Sequence, residues 1–173
     1  MGSPPVTSFD DTFAAITALG LDTSVFIYFV ASNERYVRRA REIFRRIDGG
    51  QFTGRTSIIT LTEALTLPKR IADTVLERSY RLMLFESRHL QLLDVDAAIA
   101  DRAADLRARH TLRTPDAIQI ATALAAGCEA FLTNDRDLRR VDARRILTLD
   151  ELTLDQARRE RDTPIGVTMQ VRG

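Results

Sequence analysis

The sequence predicts an α/β domain in which a central, mostly parallel β-sheet is flanked by α-helices. Three observations carry this expectation. Short apolar runs of strand length alternate along the chain with segments of helical length and period. One of the helical segments, Asp116 to Ala126, is apolar on almost every side and therefore belongs in the interior. Four carboxylates, Asp22, Glu63, Asp116 and Asp135, stand at the borders of apolar runs, where an ionised group costs free energy unless the fold supplies a partner.

The elements follow in order. A stretch bearing Pro, Ser and Thr opens the chain and leads into a short helix over Asp10 to Thr17. Leu19 to Leu21 reads as a buried strand ending at Asp22, and Thr23 to Val30 as a helix. Glu34 to Ile47 is an amphipathic helix: Val37, Ala40, Ile43, Phe44 and Ile47 share one face, while Arg38, Arg39, Arg41, Arg45 and Arg46 lie mainly elsewhere. Asp48-Gly49-Gly50 stops it. Phe52 to Ile58 is a strand, Thr60 to Leu67 a short helix broken by Pro68, and Ile71 to Phe85 a longer helix. Leu90 to Val95 is a strand, after which Asp96 starts a helix running to Arg109. Thr114-Pro115 opens the apolar helix and Gly127 ends it. Glu129 to Thr133 and Arg145 to Leu149 complete a set of about five strands, with a short helix begun by Asp135 between them.

The 173 residues suit one domain with a real core, and a net charge of +1 excludes a generic polycation. No apolar stretch is long enough to cross a bilayer, and no secretory signal is visible. Cys128 is the only cysteine and reads as a buried thiol, which fits a cytoplasmic setting. With His89 and His110 in unrelated contexts, no structural zinc site is in view. Lys69 is the only lysine, so nearly all the basic side chains are planar guanidinium groups suited to phosphate.

The four acids can meet at one edge. Open parallel sheets bind ligands beyond the carboxyl ends of their strands, where Asp22 and Asp135 belong. The helix bearing Asp116 runs back against the strand that follows it. About a dozen helical residues cover roughly 18 Å, as do five or six strand residues, so Asp116 returns level with Asp135. Glu63 lies about one turn into the helix leaving the second strand, in a row with Ile59 and Leu67 that is expected to face inward. Capping explains Asp22 and Asp135 equally well, and the helix dipole explains Asp116. Glu63 has no such local explanation.

The segments LDTSVFIY, TLTEAL, RTPDAIQIATAL and AFLTNDRDL, in that order, resemble those of the PIN-domain ribonucleases. Within that family they are similar to the VapC toxin of VapBC-type toxin–antitoxin pairs. The resemblance spans Leu19 to Leu149 and implies a PIN-like fold. It also implies an endoribonuclease dependent on Mg²⁺ or Mn²⁺, a cognate antitoxin as partner, an RNA substrate and a homodimer. Carried over by motif, Asp22, Glu63, Asp116 and Asp135 are the acidic quartet that holds the metal and performs catalysis. Asp137 is a candidate accessory ligand, and Ser24 and Thr133 match small hydroxyl positions beside the site. Arg113 and Arg136 flank the acids and are candidates for RNA phosphate contacts. The basic helix Arg38 to Arg46 reads first as a solvated face. Residues 1–18 form an N-terminal extension, 19–150 the nuclease-like domain, and 151–173 a C-terminal extension, left open between a helix, a swapped arm and a disordered segment.

Divalent Mg²⁺ or Mn²⁺ suits carboxylate oxygens and lowers the pKa of its water, and the resemblance implies hydrolysis leaving 5′-phosphate and 3′-hydroxyl ends. Two other readings keep the fold: an RNA- or partner-binding module with little catalysis, and a metal-dependent DNA nuclease. A phosphoaspartyl phosphatase is disfavoured, because Asp22-Thr23-Ser24 lacks the second acid at the needed spacing.

Overall fold

The computed structural model describes residues 7–142 and 145–154. Strand β1 (Thr7–Ser8) leads into helix α1 (Phe9–Phe13), followed by β2 (Ala18–Leu21), α2 (Thr23–Val30) and α3 (Val37–Asp48). Next come β3 (Thr53–Ser57), α4 (Ile59–Arg70), α5 (Thr74–Glu86) and β4 (Leu90–Leu93). Then α6 (Ala97–His110), α7 (Thr114–Ala125) and β5 (Ala130–Thr133) bring the chain to a 3-10 turn over Arg136–Arg140. Finally β6 (Arg145–Thr148), a 3-10 turn at Leu149–Glu151 and β7 (Leu152–Thr153) close the described part.

The local chemistry accounts for several of these boundaries. The Asp96 side chain accepts from the Ile99 N–H and starts α6, and Asp73 does the same for Leu76 at α5. Pro115 occupies the first turn of α7, where its missing N–H costs nothing. Gly127 ends α7 at φ +72°, a left-handed conformation that a side chain disfavours.

Five strands form one fully parallel sheet in the order β4-β3-β2-β5-β6. Chain direction across the sheet reverses at β2, whose neighbours are β3 on one side and β5 on the other. That is the switch point at which open α/β sheets form a crevice. Both faces are covered. One core gathers Phe9, Phe13, Phe26, Ile43, Phe44, Ile47 and Leu84 over Leu19 and Leu21. The other packs Ile99, Leu106, Ala117, Ile120 and Ala121 over Ala18 and Phe131. Helix α7 lies against β2, β3 and β5. Its close approach depends on Gly20: a Cβ there would stand 2.7 Å from Ala123 Cβ and 2.9 Å from Phe131 Cδ2.

Several expectations need correction. The first helix is Phe9–Phe13 rather than Asp10 to Thr17, because Ser8 caps it by accepting from the Asp11 N–H. It follows a strand that pairs in parallel with β7, with Thr7 opposite Leu152 and Ser8 opposite Thr153. The segments before Leu19 and after Asp150 thus meet, and Phe9, Phe13 and Leu152 enter the core. The C-terminal segment beyond residue 154 lies outside the described residues.

Pro68 does not break its helix. It is buried inside α4, which continues to Arg70. The proline falls in the last turn, where it removes one bond, and the packing of α4 on α5 carries the helix through it. Helix α5 begins three residues later than expected, since Ala72 adopts φ +53° and Asp73 caps. The row Ile59–Glu63–Leu67 does not face inward: Leu67 is 55% exposed, and Thr60, Ala64, Leu65 and Pro68 form the buried face.

On α3, Arg46 is only 2% exposed. Its guanidinium donates to Glu42 at 2.7 Å and to Asp10 at 2.5 Å, and stands 5.4 Å from the Phe9 ring centroid. The basic helix is thus a solvated face on one side and an anchor for the N-terminal segment on the other. Burial pushes the Glu42 carboxyl up, but the hydrogen bonds and charges of Arg45 and Arg46 outweigh it and hold the group at about 2. Among the described residues, no helix is long and apolar enough to cross a membrane.

Two outcomes test this packing. Gly20→Ala is expected to lower stability by about 1–3 kcal/mol in urea denaturation, because backbone and helix must separate to admit the methyl. Glu42 is ionised in the fold well below its ordinary value of 4.5, so it stabilises the protein above that value, an advantage lost as pH falls through about 2. Glu42→Gln is therefore expected to lower Tm at pH 7, and the deficit relative to wild type shrinks as thermal melts are taken from pH 5 towards pH 2.

Candidate functional site

Asp22 is the residue that follows β2, and its N–H donates to the Leu132 carbonyl of β5 at 2.9 Å. That bond sets it at the switch point, level with Thr133. It stands at the cap position of α2, yet its side chain makes no capping hydrogen bond. The carboxylate instead accepts from the Ser24 hydroxyl at 2.7 Å and the Thr133 hydroxyl at 2.9 Å, both on Oδ2. Capping, the local explanation for an acid here, does not apply. Burial pushes the Asp22 carboxyl up, the two hydroxyls and the Thr23 N–H pull it down, and the charge of Asp116 pushes it up again, with a net rise.

Asp116 arrives in the first turn of α7, as the helix-length comparison requires. It accepts from Arg113 Nε at 2.8 Å and Nη2 at 3.2 Å. The same guanidinium, 77% exposed, stands 3.9 Å from Asp135 Oδ2 and also feels the charge of Glu63. Arg113 is thus a single cation set among the acids. Its own pKa is raised by the hydrogen bond and charge of Asp116, with smaller contributions from Asp135 and Glu63.

Asp135 does act as a cap: it accepts from the Asp137 N–H at 2.9 Å and opens the 3-10 turn. Its own N–H donates to Thr133 Oγ1 at 3.0 Å, so Thr133 joins Asp22 to Asp135. Asp137 is exposed and contributes its backbone N–H to this arrangement. Arg136 turns away and pairs with Asp150 at 2.7 Å, which Arg35 also approaches at 3.2 Å. Of the two arginine candidates, only Arg113 is among the acids.

Glu63, half-buried on α4, accepts from the Thr23 hydroxyl. Thr23 belongs to a buried group with Thr56, Thr60 and Gln119 that lies between α2, β3, α4 and α7. None of these four stood out in the sequence. The one available signal is Gln119, a polar side chain within the largely apolar run of α7.

The arrangement suits a hard cation. All the candidate donors are carboxylate oxygens, the Asp22 carboxylate is repelled by Asp116, and a guanidinium already answers that charge. Among the described residues, no group of three or more acidic, histidine or cysteine side chains is placed to hold a metal ion. An ion that keeps several waters, as Mg²⁺ does, needs only one or two of the carboxylates directly.

The PIN domain family model matches residues 20–144. No curated protein matches the chain. Among solved structures, the chain is similar to VapBC2 of Rickettsia felis bound to a promoter DNA fragment, with a TM-score of 0.61 and 15% identity over 76% of this chain and 98% of that one. It is similar to a toxin–antitoxin complex from Klebsiella pneumoniae, at 0.57 and 25%, over 77% and 98%. It is also similar to the sarcin–ricin-loop-cleaving toxin VapC20 of Mycobacterium tuberculosis, at 0.60 and 17%, over 73% and 96%.

An acid whose folded-state pKa lies above its ordinary 3.8 costs nothing while protonated in both states; the cost sets in as pH rises through that ordinary value and is complete above the raised one. At pH 7 Asp22→Asn should therefore raise Tm, by roughly 2–4 °C per kcal/mol relieved. The gain should vanish near pH 3, where both side chains are neutral. Paired thermal melts across that range check both statements.

Proposed function

Because the chain belongs to the PIN domain family, a family of nucleases, we propose that it is a metal-dependent endoribonuclease and the toxin of a VapBC-type toxin–antitoxin pair. The observation that carries this is the Asp22 carboxylate at the sheet's switch point. It is withheld from capping, held by two hydroxyls and set beside the charge of Asp116. An acid placed there only to cap would bond to the N–H of the second or third residue of α2.

The proposed assignment is as follows. Asp22 and Asp116 hold Mg²⁺ or Mn²⁺ directly, and Asp135 and Glu63 hold it directly or through water. When bound, such an ion makes water a stronger acid and offsets charge on the phosphoryl oxygens. Ser24 and Thr133 keep Asp22 oriented. Glu63 or Asp135 accepts the proton of the attacking water. Arg113, on an exposed and mobile-length side chain at the rim, exchanges Asp116 for an RNA phosphate oxygen. Asp137 is an accessory ligand at most, being exposed, and Arg136 serves phosphate only after releasing Asp150.

RNA as substrate rests on the four motifs, and the nuclease unit is assigned to residues 19–150 in a cytoplasmic protein. A cognate antitoxin is supported by the likeness to the Klebsiella toxin–antitoxin complex. Leu67, Ile71, Val75, Leu82 and Phe85, exposed on and between α4 and α5, offer apolar area to that partner or to a second copy in a homodimer.

Asp22→Asn and Asp116→Asn are each expected to lower Mn²⁺-dependent cleavage of RNA by at least about a hundredfold, with native circular dichroism. Cleavage at the wild-type rate by either folded variant refutes the assignment. Parallel digestion of RNA and DNA of the same sequence separates a ribonuclease from a deoxyribonuclease.

A further inference from the structure

Beneath the acids, the buried group of Thr23, Thr56, Thr60 and Gln119 has a direction that can be derived by counting protons. Gln119 is 2% exposed on an otherwise apolar helix face. The Ser57 backbone N–H can only donate, so the Gln119 carbonyl oxygen must face it, at 3.3 Å. That orients the amide and turns its Nε2 protons towards Thr23 Oγ1 at 3.0 Å and Thr60 Oγ1 at 2.7 Å.

At the other end, Thr56 donates to the Leu21 carbonyl at 2.8 Å, which uses its one proton. The 2.7 Å contact between Thr60 and Thr56 must then run from Thr60 to Thr56, which uses the proton of Thr60. Thr23 already accepts from Gln119. Its own proton has two acceptors within reach, Thr60 at 3.2 Å and Glu63 Oε2. The carboxylate is charged and is the stronger acceptor.

We infer that Gln119 is a positioning residue: by donating to Thr23 and Thr60 it holds the Thr23 hydroxyl where its proton reaches Glu63, engaging Oε2 and leaving Oε1 for the acidic site. Among the described residues no other hydrogen bond engages Glu63. Glu63 sits on a helical row that runs out to solvent at Leu67, so packing does not hold its carboxylate; Thr23 does. An apolar side chain would fill the place of Gln119 but could not hold the Thr23 hydroxyl by a hydrogen bond. The inference deepens the proposed nuclease function and rests on it.

The test uses the full chain, with Mn²⁺ binding measured by calorimetry without RNA, and steady-state cleavage of a mixed-sequence fluorogenic RNA. Thr23→Val is expected to weaken Mn²⁺ binding and lower kcat by about tenfold or more, the usual cost of losing a group that orients a ligand. KM should change little. Thr23→Ser, which keeps the hydroxyl, should restore both. Gln119→Met should lose about as much as Thr23→Val. The double variant should lose no more than the worse single one, because both act through one bond. A folded Gln119→Met that binds Mn²⁺ and cuts RNA like wild type overturns the inference, as do losses that multiply in the double variant. If Gln119→Met does not fold, Gln119→Glu decides, since its carboxylate accepts and draws the Thr23 proton away from Glu63. Wild-type behaviour there overturns the inference, and a tenfold loss upholds it. A wild-type chain that neither binds Mn²⁺ nor cuts this RNA overturns the nuclease function and the inference with it. That result is distinct from an active wild type with indifferent variants.

Discussion

The structure turns on a carboxylate drawn out of water at the point where the sheet changes direction. Asp22 can be there only because two hydroxyls and a backbone N–H replace part of its lost hydration. The two hydroxyls come from different pieces of the fold. Ser24 belongs to the helix that leaves β2, and Thr133 to the end of β5. The bond from Asp22 N–H to Leu132 fixes the two strands in the register that brings Thr133 alongside. A slip of one residue would turn Thr133 to the opposite face of the sheet and leave the carboxylate with one hydroxyl.

The other acids are supported by different means, and the differences bear on what each can do. Asp116 is brought in by the length of α7, whose contact with β2 is close enough to require Gly20. It is partnered by an exposed guanidinium, an interaction that solvent screens and that a phosphate can displace. Asp135 is tied to the turn it caps. Glu63 depends on a hydroxyl that is itself held by Gln119. A buried polar group of this kind is stabilising only when every member is satisfied. Here the chain from Ser57 to Leu21 uses each proton once, and it binds β3, α2, α4 and α7 together under the site.

Much of the architecture was legible from local signals. The cap Asp96, Pro115 at the start of α7 and Gly127 at its end all act through neighbouring backbone, so their signature is contiguous in sequence. The strands of the sheet were legible within a few residues, most of them as short apolar runs. Features that depend on distant partners were not legible. The pairing of β1 with β7 joins segments more than 140 residues apart. Arg46 reads as one more arginine on a basic helix until Asp10 and Phe9 arrive to bury it. Pro68 breaks a helix in isolation but not one packed on α5.

By itself the sequence determined the alternation of strands and helices and the places of the four acids along them. These follow from periodicity and rise per residue, which are local properties of the backbone. Only the tertiary structure decided which of the acids act as caps. Asp22 and Asp135 carry equal capping signals, yet Asp135 caps and Asp22 does not. The difference is made by Thr133, 111 residues from Asp22. Likewise the Thr23 hydroxyl that donates to Glu63 is itself held by a glutamine on another helix, a partner 96 residues away in sequence.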